Sequence, residues 1–241
     1  MRDIKARHKQ SFFGAAWFVL APCMMMAVFT IVFSKFVRVN TGNTPYPVFV
    51  LSGLLTWQLF SVSMSQGVQS LVGNLSMVTK VYFPREAFPI SVVLARVMDF
   101  LMGLAVLIVI MLLFHYPPKL TLLFAPLVLG IQLIFTLGLV LLVSGLNVFY
   151  RDVKHMTDIA VLVLMYFCPV IYPLSSVPEH FRSIYLLNPL AAVVHAFRQI
   201  VADGTAPDML MLARAAAVSV AILITGYIAF KAMEPKFADC A

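Results

Sequence analysis

Charge is what this sequence has least of: Asp, Glu, Lys and Arg make up 11% of its 241 residues, while 62% are hydrophobic. That balance excludes an ordinary water-soluble globule and points to a multi-spanning membrane protein. A disulfide framework is missing too, because Cys23, Cys168 and Cys240 are odd in number and scattered, two of them inside apolar runs. They read as small apolar fillers. The five histidines, His8, His115, His155, His180 and His195, lack metal-ligand spacing. No G-x-x-x-x-G-K-[ST] phosphate loop, H-E-x-x-H or G-x-S-x-G occurs, and no paired acidic motif. Of the ten acidic residues only Asp99 lies well inside an apolar run. A proton- or sodium-coupled carrier needs ionisable or discontinuous sites near the midplane, commonly in two related halves, and neither is found. Unless the protein is passive, its energy comes from elsewhere, as from a separate ATPase gripping its cytoplasmic turns. The net charge of +7 does not indicate nucleic acid, since the basic residues gather at the ends of apolar runs.

The pattern predicts an all-α integral membrane protein, one transmembrane domain over residues 1–241, with six spans at about 12–33, 46–70, 88–114, 122–149, 159–172 and 210–230. Arg2, Lys5, Arg7 and Lys9 precede the first run, which is too long for a signal-peptide core and closes on no small-x-small site. With both termini cytoplasmic, more basic residues fall inside than outside. Gly53, Trp57, Gln58, Ser61, Ser63, Ser65 and Gln66 make the second span less apolar than the first, so it should face protein or water. Pro169 and Pro173 should break the fifth span at its outer end. Residues 174–209 alternate short apolar clusters with polar breaks, which fits short outer re-entrant or interfacial helices.

Three polar features stand out from this background. The first is the interruption at 73–87, where Leu75, Val78, Tyr82 and Phe83 alternate with Thr79, Lys80 and Arg85 ahead of Pro84-Arg85-Glu86. A segment lying across the membrane face, apolar side down, would serve as a docking surface; a loop whose basic residues only anchor topology fits the spacing equally. The second is Arg96 and Asp99, three apart on one helical face, either a functional pair or a mutual neutralisation. The third is Asn147, Tyr150, Arg151 and Asp152, expected to form a cap and ion-pair knot closing span four.

Four motifs taken in order carry a family resemblance. They are Arg2-Asp3-Ile4-Lys5-Ala6-Arg7-His8-Lys9-Gln10 leading into Gly14-Ala15-Ala16-Trp17; Ser52-Gly53-Leu54-Leu55-Thr56-Trp57; Thr79-Lys80-Val81-Tyr82-Phe83-Pro84-Arg85; and Leu146-Asn147-Val148-Phe149-Tyr150-Arg151-Asp152-Val153. Each is weak alone, but together the chain resembles the permease subunit of type-2 ABC exporters of cell-surface polysaccharides. The resemblance implies two copies of this subunit pairing with two copies of a separate ATPase, which binds the ATP and magnesium, and a lipid-linked glycan (O-antigen, capsule or teichoic-acid type) carried across the bacterial inner membrane. It makes residues 1–11 an amphipathic interface helix with Arg2, Lys5, Arg7 and Lys9, and residues 73–87 the coupling helix, with Leu75, Val78, Thr79, Lys80, Tyr82, Phe83, Pro84 and Arg85 meeting the ATPase. Two departures are visible. Family chains carry about one further helix ahead of the Arg-Asp-Ile-Lys motif, so the interface helix here is short or its start is missing, and Thr56 stands where relatives often have Pro.

On this reading, closure of the ATPase pushes the segment from Leu75 to Phe83 and tilts spans two and three. Tyr46, Phe49, Trp57, Phe60, Tyr166, Phe167 and Tyr172 are candidates to line a wide glycan path, since aromatic faces stack on sugars, although membrane-interface anchoring suits them as well. Arg7, Lys9, Arg38 and Arg85 suit a lipid pyrophosphate or a topology anchor. Export of small hydrophobic compounds, or a channel or scaffold with no ATPase, are the alternatives.

Overall fold

A computed structural model describes residues 17–36, 44–74 and 84–238. These form helices α1 (Trp17–Thr30, continued by a π-helical stretch Ile31–Phe36), α2 (Tyr46–Gly67), α3 (Ala87–Leu113), α4 (Ala125–Phe149), α5 (Val153–Tyr166), α6 (Glu179–Tyr185), α7 (Pro189–Arg198) and α8 (Met209–Met233), with no strand among the described residues. Four stretches are long and apolar enough to cross a membrane: Tyr46–Gly67, Ala87–Leu113, Leu120–Phe149 and Met209–Phe237. They coincide with the second, third, fourth and sixth predicted spans.

Of the other two predicted spans, the first is described only from Trp17 onward, and the fifth differs from expectation. Residues 12–16 of the first lie outside the described residues, and within it the apolar helix is Cys23–Phe33. The fifth is displaced: α5 starts at Val153 rather than 159 and ends at Tyr166, 14 residues in all. At 1.5 Å per residue that is about 21 Å, short of the roughly 30 Å hydrocarbon core. Residues 167–173 then run as irregular backbone instead of completing a span. The cause is local, because Pro169 supplies no N–H and disfavours helix at Cys168.

Helix α2 is the centre of the bundle. Sixteen of its residues are buried, among them Leu51, Leu54, Leu55, Trp57 and Phe60, as its lower apolarity led one to expect. Its neighbours instead turn large apolar side chains outward, such as Leu94, Met98, Leu101, Val109 and Leu113 on α3 and Val220, Ile224 and Ile228 on α8, the pattern of a surface solvated by lipid.

Small residues set the closest approaches. A Cβ on Gly226 of α8 would sit 2.2 Å from the Gly138 carbonyl oxygen of α4, and one on Gly138 would sit 2.7 Å from the Leu223 backbone. The α4 and α8 backbones are therefore in direct contact, which only glycine permits. Farther along, Gly145 lies against Met233 and Phe230, so the two helices stay paired to the end of α8. A buried amide adds a cross-tie to the core: Gln132 Nε2 of α4 donates to the Thr56 carbonyl of α2 at 2.5 Å.

The region between α5 and α8 folds inward. Nine of the ten α7 residues are buried, from Pro189 to Arg198 apart from His195, so this short helix lies within the bundle. Its start is capped by the Asn188 side chain, which accepts from the Leu190 N–H at 3.0 Å, with Pro189 in the first turn. Its far end runs into a π-helical turn, Gln199–Asp203, closed by Gly204 at φ 64°, where a Cβ would collide with the Lys119 side chain. Side chains from the α3–α4 connection meet the carbonyls left there: Thr121 donates to Ile200 at 2.7 Å, Lys119 to Asp203 at 2.9 Å, and Tyr116 to Ala202.

Candidate functional site at the roots of the central connection

Residues 75–83 lie outside the described residues, and with them Leu75, Val78, Thr79, Lys80, Tyr82 and Phe83. So do Arg2, Lys5, Arg7 and Lys9 of the expected interface helix. What the structure describes is how the connection leaves α2 and how it enters α3. On the leaving side Asn147 Nδ2 of α4 donates to the Val68 carbonyl at 2.9 Å, and Asn74 Nδ2 donates back to the Ser70 carbonyl at 2.8 Å. Leu71, fully buried, packs with Leu141 and Val148 of α4, Phe230 of α8 and Phe237.

On the returning side, Arg85 donates through Nη1 to the Glu234 carbonyl, and its guanidinium lies 5.9 Å over the Phe237 ring. Lys231 Nζ sits 2.9 Å from both Glu86 carboxylate oxygens and 2.9 Å from Glu234 Oε2. Burial works to raise the Glu86 carboxyl, yet hydrogen bonds from Lys231 and from its own backbone N–H outweigh it and hold the group below the usual carboxylate range. Phe237 stacks edge-on against Phe230 and tilts against Phe149, tying the turn Glu234–Ala238 to α4 and α8. Both roots thus end on one body, the α4–α8 pair.

The expected knot at Asn147, Tyr150, Arg151 and Asp152 takes a different form. Asn147 is buried and bonds to Val68, whereas Tyr150, Arg151 and Asp152 are exposed, with no ion pair between them and no side-chain cap from Asp152. Residues one apart do not face each other across a helical turn, which leaves Arg151 and Asp152 without the geometry of a pair. Asn147→Ala should cost about 1–2 kcal/mol by leaving the Val68 carbonyl without its buried donor, measured as a lower unfolding midpoint in detergent. Arg96 and Asp99 do pair along α3, both partly buried.

The aromatic candidates separate into two groups. Tyr46, Phe49, Trp57 and Phe60 are buried inside the chain, at most 7% exposed, on the enclosed side of α2, whereas the half-exposed stripe of that helix carries Gln58, Ser61, Val62, Ser65 and Gln66. Tyr166 and Phe167 are 67% and 61% exposed at the end of α5. Phe167 borders a shallow apolar groove with Met156, Ile159 and Val163. Tyr172 is half-buried, its hydroxyl donating to the Tyr166 carbonyl and 2.8 Å from that of Tyr185.

A buried guanidinium at the end of α7, which the sequence pattern does not single out as a site, proves structural. Arg198 is 4% exposed and donates to three carbonyls of the irregular stretch: Pro169 at 2.7 Å, Val170 at 2.8 Å and Tyr172 at 3.3 Å. Tyr46 supplies the fourth donor, to Ile171 at 3.2 Å, and the Phe49 ring lies 3.6 Å beneath the guanidinium. Gly53 is required beside it, since a Cβ would fall 2.6 Å from Nη2. The signal was present in the sequence: a proline-broken stretch inside a membrane needs donors, and Arg198 follows an apolar helix able to carry one inward. No cluster of His, Cys, Asp or Glu among the described residues could hold a metal ion.

A helical bundle of this kind, with four stretches long and apolar enough to cross a membrane and a short buried helix folded among them, is the membrane domain of a multi-spanning protein. The chain belongs to the ABC-2 type transporter family, whose model matches residues 1–202. It is similar to an O-antigen export system permease protein of Myxococcus xanthus, 33% identical over 99% of this chain and 92% of the relative. A Klebsiella pneumoniae protein of the same description is 31% identical over 85% of this chain and 78% of its own length. The polysialic acid transport protein KpsM of Escherichia coli is 23% identical over 97% of this chain and 91% of that protein.

Proposed function

We propose that this chain is the permease subunit of an ATP-driven exporter moving lipid-linked polysaccharide across the bacterial inner membrane, two copies working with two copies of a separate ATPase. The observation that carries the reading is similarity over nearly the whole chain to permeases named for O-antigen and polysialic acid transport. Two unrelated-sounding glycans among the relatives favour polymer export over export of small hydrophobic compounds. In this reading the chain crosses six times with both termini in the cytoplasm, α1 making one of the remaining two crossings and α5 together with the irregular stretch 167–173 the other. Residues 73–87 face the ATPase, which takes the ATP and magnesium, and this chain performs no catalysis. The exposed apolar face of α5, too short to cross alone, supports pairing with a second copy there. Tyr166 and Phe167 at its end are the aromatic residues left to meet sugar rings.

The reading is tested by purifying the tagged chain from its own cells in mild detergent. A nucleotide-binding subunit should co-purify, and vesicles holding both should accumulate lipid-linked glycan only with ATP. Replacing Tyr82 and Phe83 together by Ala should remove nucleotide-stimulated transport while the chain still inserts. Glycan movement by the lone polypeptide would overturn the reading.

A further inference from the structure

We propose that Lys231, held between Glu86 and Glu234, is a positioning residue that delivers movement of the ATPase-facing connection to the α4–α8 pair; this rests on the function proposed above. The sequence pattern alone suggests that a push on residues 75–83 tilts the two helices it joins, α2 and α3. The contacts indicate otherwise. The chain re-enters at Pro84, and within two residues both charged side chains are bound to the end of α8: Arg85 to the Glu234 carbonyl, Glu86 to Lys231. Lys231 bridges two carboxylates, each 2.9 Å away, with side-chain exposures of 37% for Lys231, 21% for Glu86 and 22% for Glu234. A bridge between two carboxylates is more than a single surface pair, because removing the lysine leaves two half-buried negative charges facing each other.

The load has somewhere rigid to go. Behind Lys231, α8 runs against α4 with backbone touching backbone at Gly138 and Gly226 and with Gly145 against Met233. The other root is bound to the same body through Asn147 and Val68. A displacement of residues 84–86 therefore moves α8 and α4 together, and these helices bear on α7 through the core that Val193 and Ala196 share with Val128 and Ile131 of α4 and Leu212 of α8. Force entering at one end of the molecule reaches the re-entrant helix without α2 having to tilt.

The test uses the full transporter, this chain with its ATPase, in vesicles, reading glycan exported per ATP hydrolysed. With the wild type exporting, Lys231→Gln should lower that ratio about tenfold, within the usual span of coupling between sites, while nucleotide hydrolysis and co-purification persist. Lys231→Arg should restore it, and exchanging the charges, Glu86→Lys with Lys231→Glu, should recover export relative to Lys231→Glu alone. An unchanged ratio in Lys231→Gln overturns the proposal. So does a charge-exchanged pair that inserts, binds the ATPase and exports no better than Lys231→Glu, which decides the matter if the glutamine variant fails to accumulate. Failure of the wild type to export with ATP would instead bring down the proposed function.

Discussion

Arg198→Met should leave the chain unable to accumulate in the membrane, the largest effect expected of any single substitution outside the helix crossings. Methionine fills similar space but donates nothing, so the carbonyls of Pro169, Val170 and Tyr172 lose their side-chain donor together. Each buried carbonyl left bare costs about 1–3 kcal/mol, and water that would relieve it is kept out by Phe49 and the α7 helix. Losses of several kcal/mol exceed what most folds can absorb. Arg198→Lys should fall between, since an ammonium keeps the charge but cannot fork to three acceptors in fixed directions. Immunoblots of membrane fractions, with unfolding midpoints in detergent for whatever accumulates, check the order wild type, Lys, Met.

Gly226→Ala should be nearly as damaging, for a different reason. The added methyl would lie 2.2 Å from the Gly138 carbonyl oxygen, and what it meets is backbone, which cannot rotate out of the way. Helices α4 and α8 must separate, losing the close packing that replaces the hydrophobic effect inside a bilayer. A destabilisation of at least about 2 kcal/mol follows from overpacking of this kind. Gly130→Ala provides the control on the facing helix α4, because nothing lies within 4 Å of its Cβ position. There alanine should stabilise by about 0.5–1 kcal/mol through helix propensity. Opposite shifts in unfolding midpoint for the two variants would separate packing from propensity.

Much of this architecture could be read from residue order, and the limits have physical reasons. The four long spans are carried by length and apolarity alone, which a sequence states directly. The burial of α2 followed from its serines and glutamines, which lipid would not solvate. The inward-turned Tyr46, Phe49, Trp57 and Phe60 escaped the same logic, because the aromatic residues that anchor at a membrane interface and those that fill a core are the same types, and only the packing of α2 separates them. The truncation of α5 depended on how far Pro169 disturbs the turns before it, and the Arg198 cluster on a helix returning to meet carbonyls some 26 to 29 residues earlier in the chain. The bridge at Lys231 joins residues 145 apart, a distance at which no local pattern speaks. At the roots of the central connection, Asn147 was picked out by its motif, but its partner Val68 carries no chemical mark.

Arg198 neutralises its charge with dipoles rather than with a carboxylate, and that choice has a bearing on how the protein meets its surroundings. Ions in the medium barely reach an enclosed guanidinium, so brine or fresh water should leave the folded-in helix seated alike. The bridge at the opposite end is within reach of electrolyte, and its grip should slacken as ionic strength climbs. One molecule would thus carry an end indifferent to the composition of the bath and an end tuned by it.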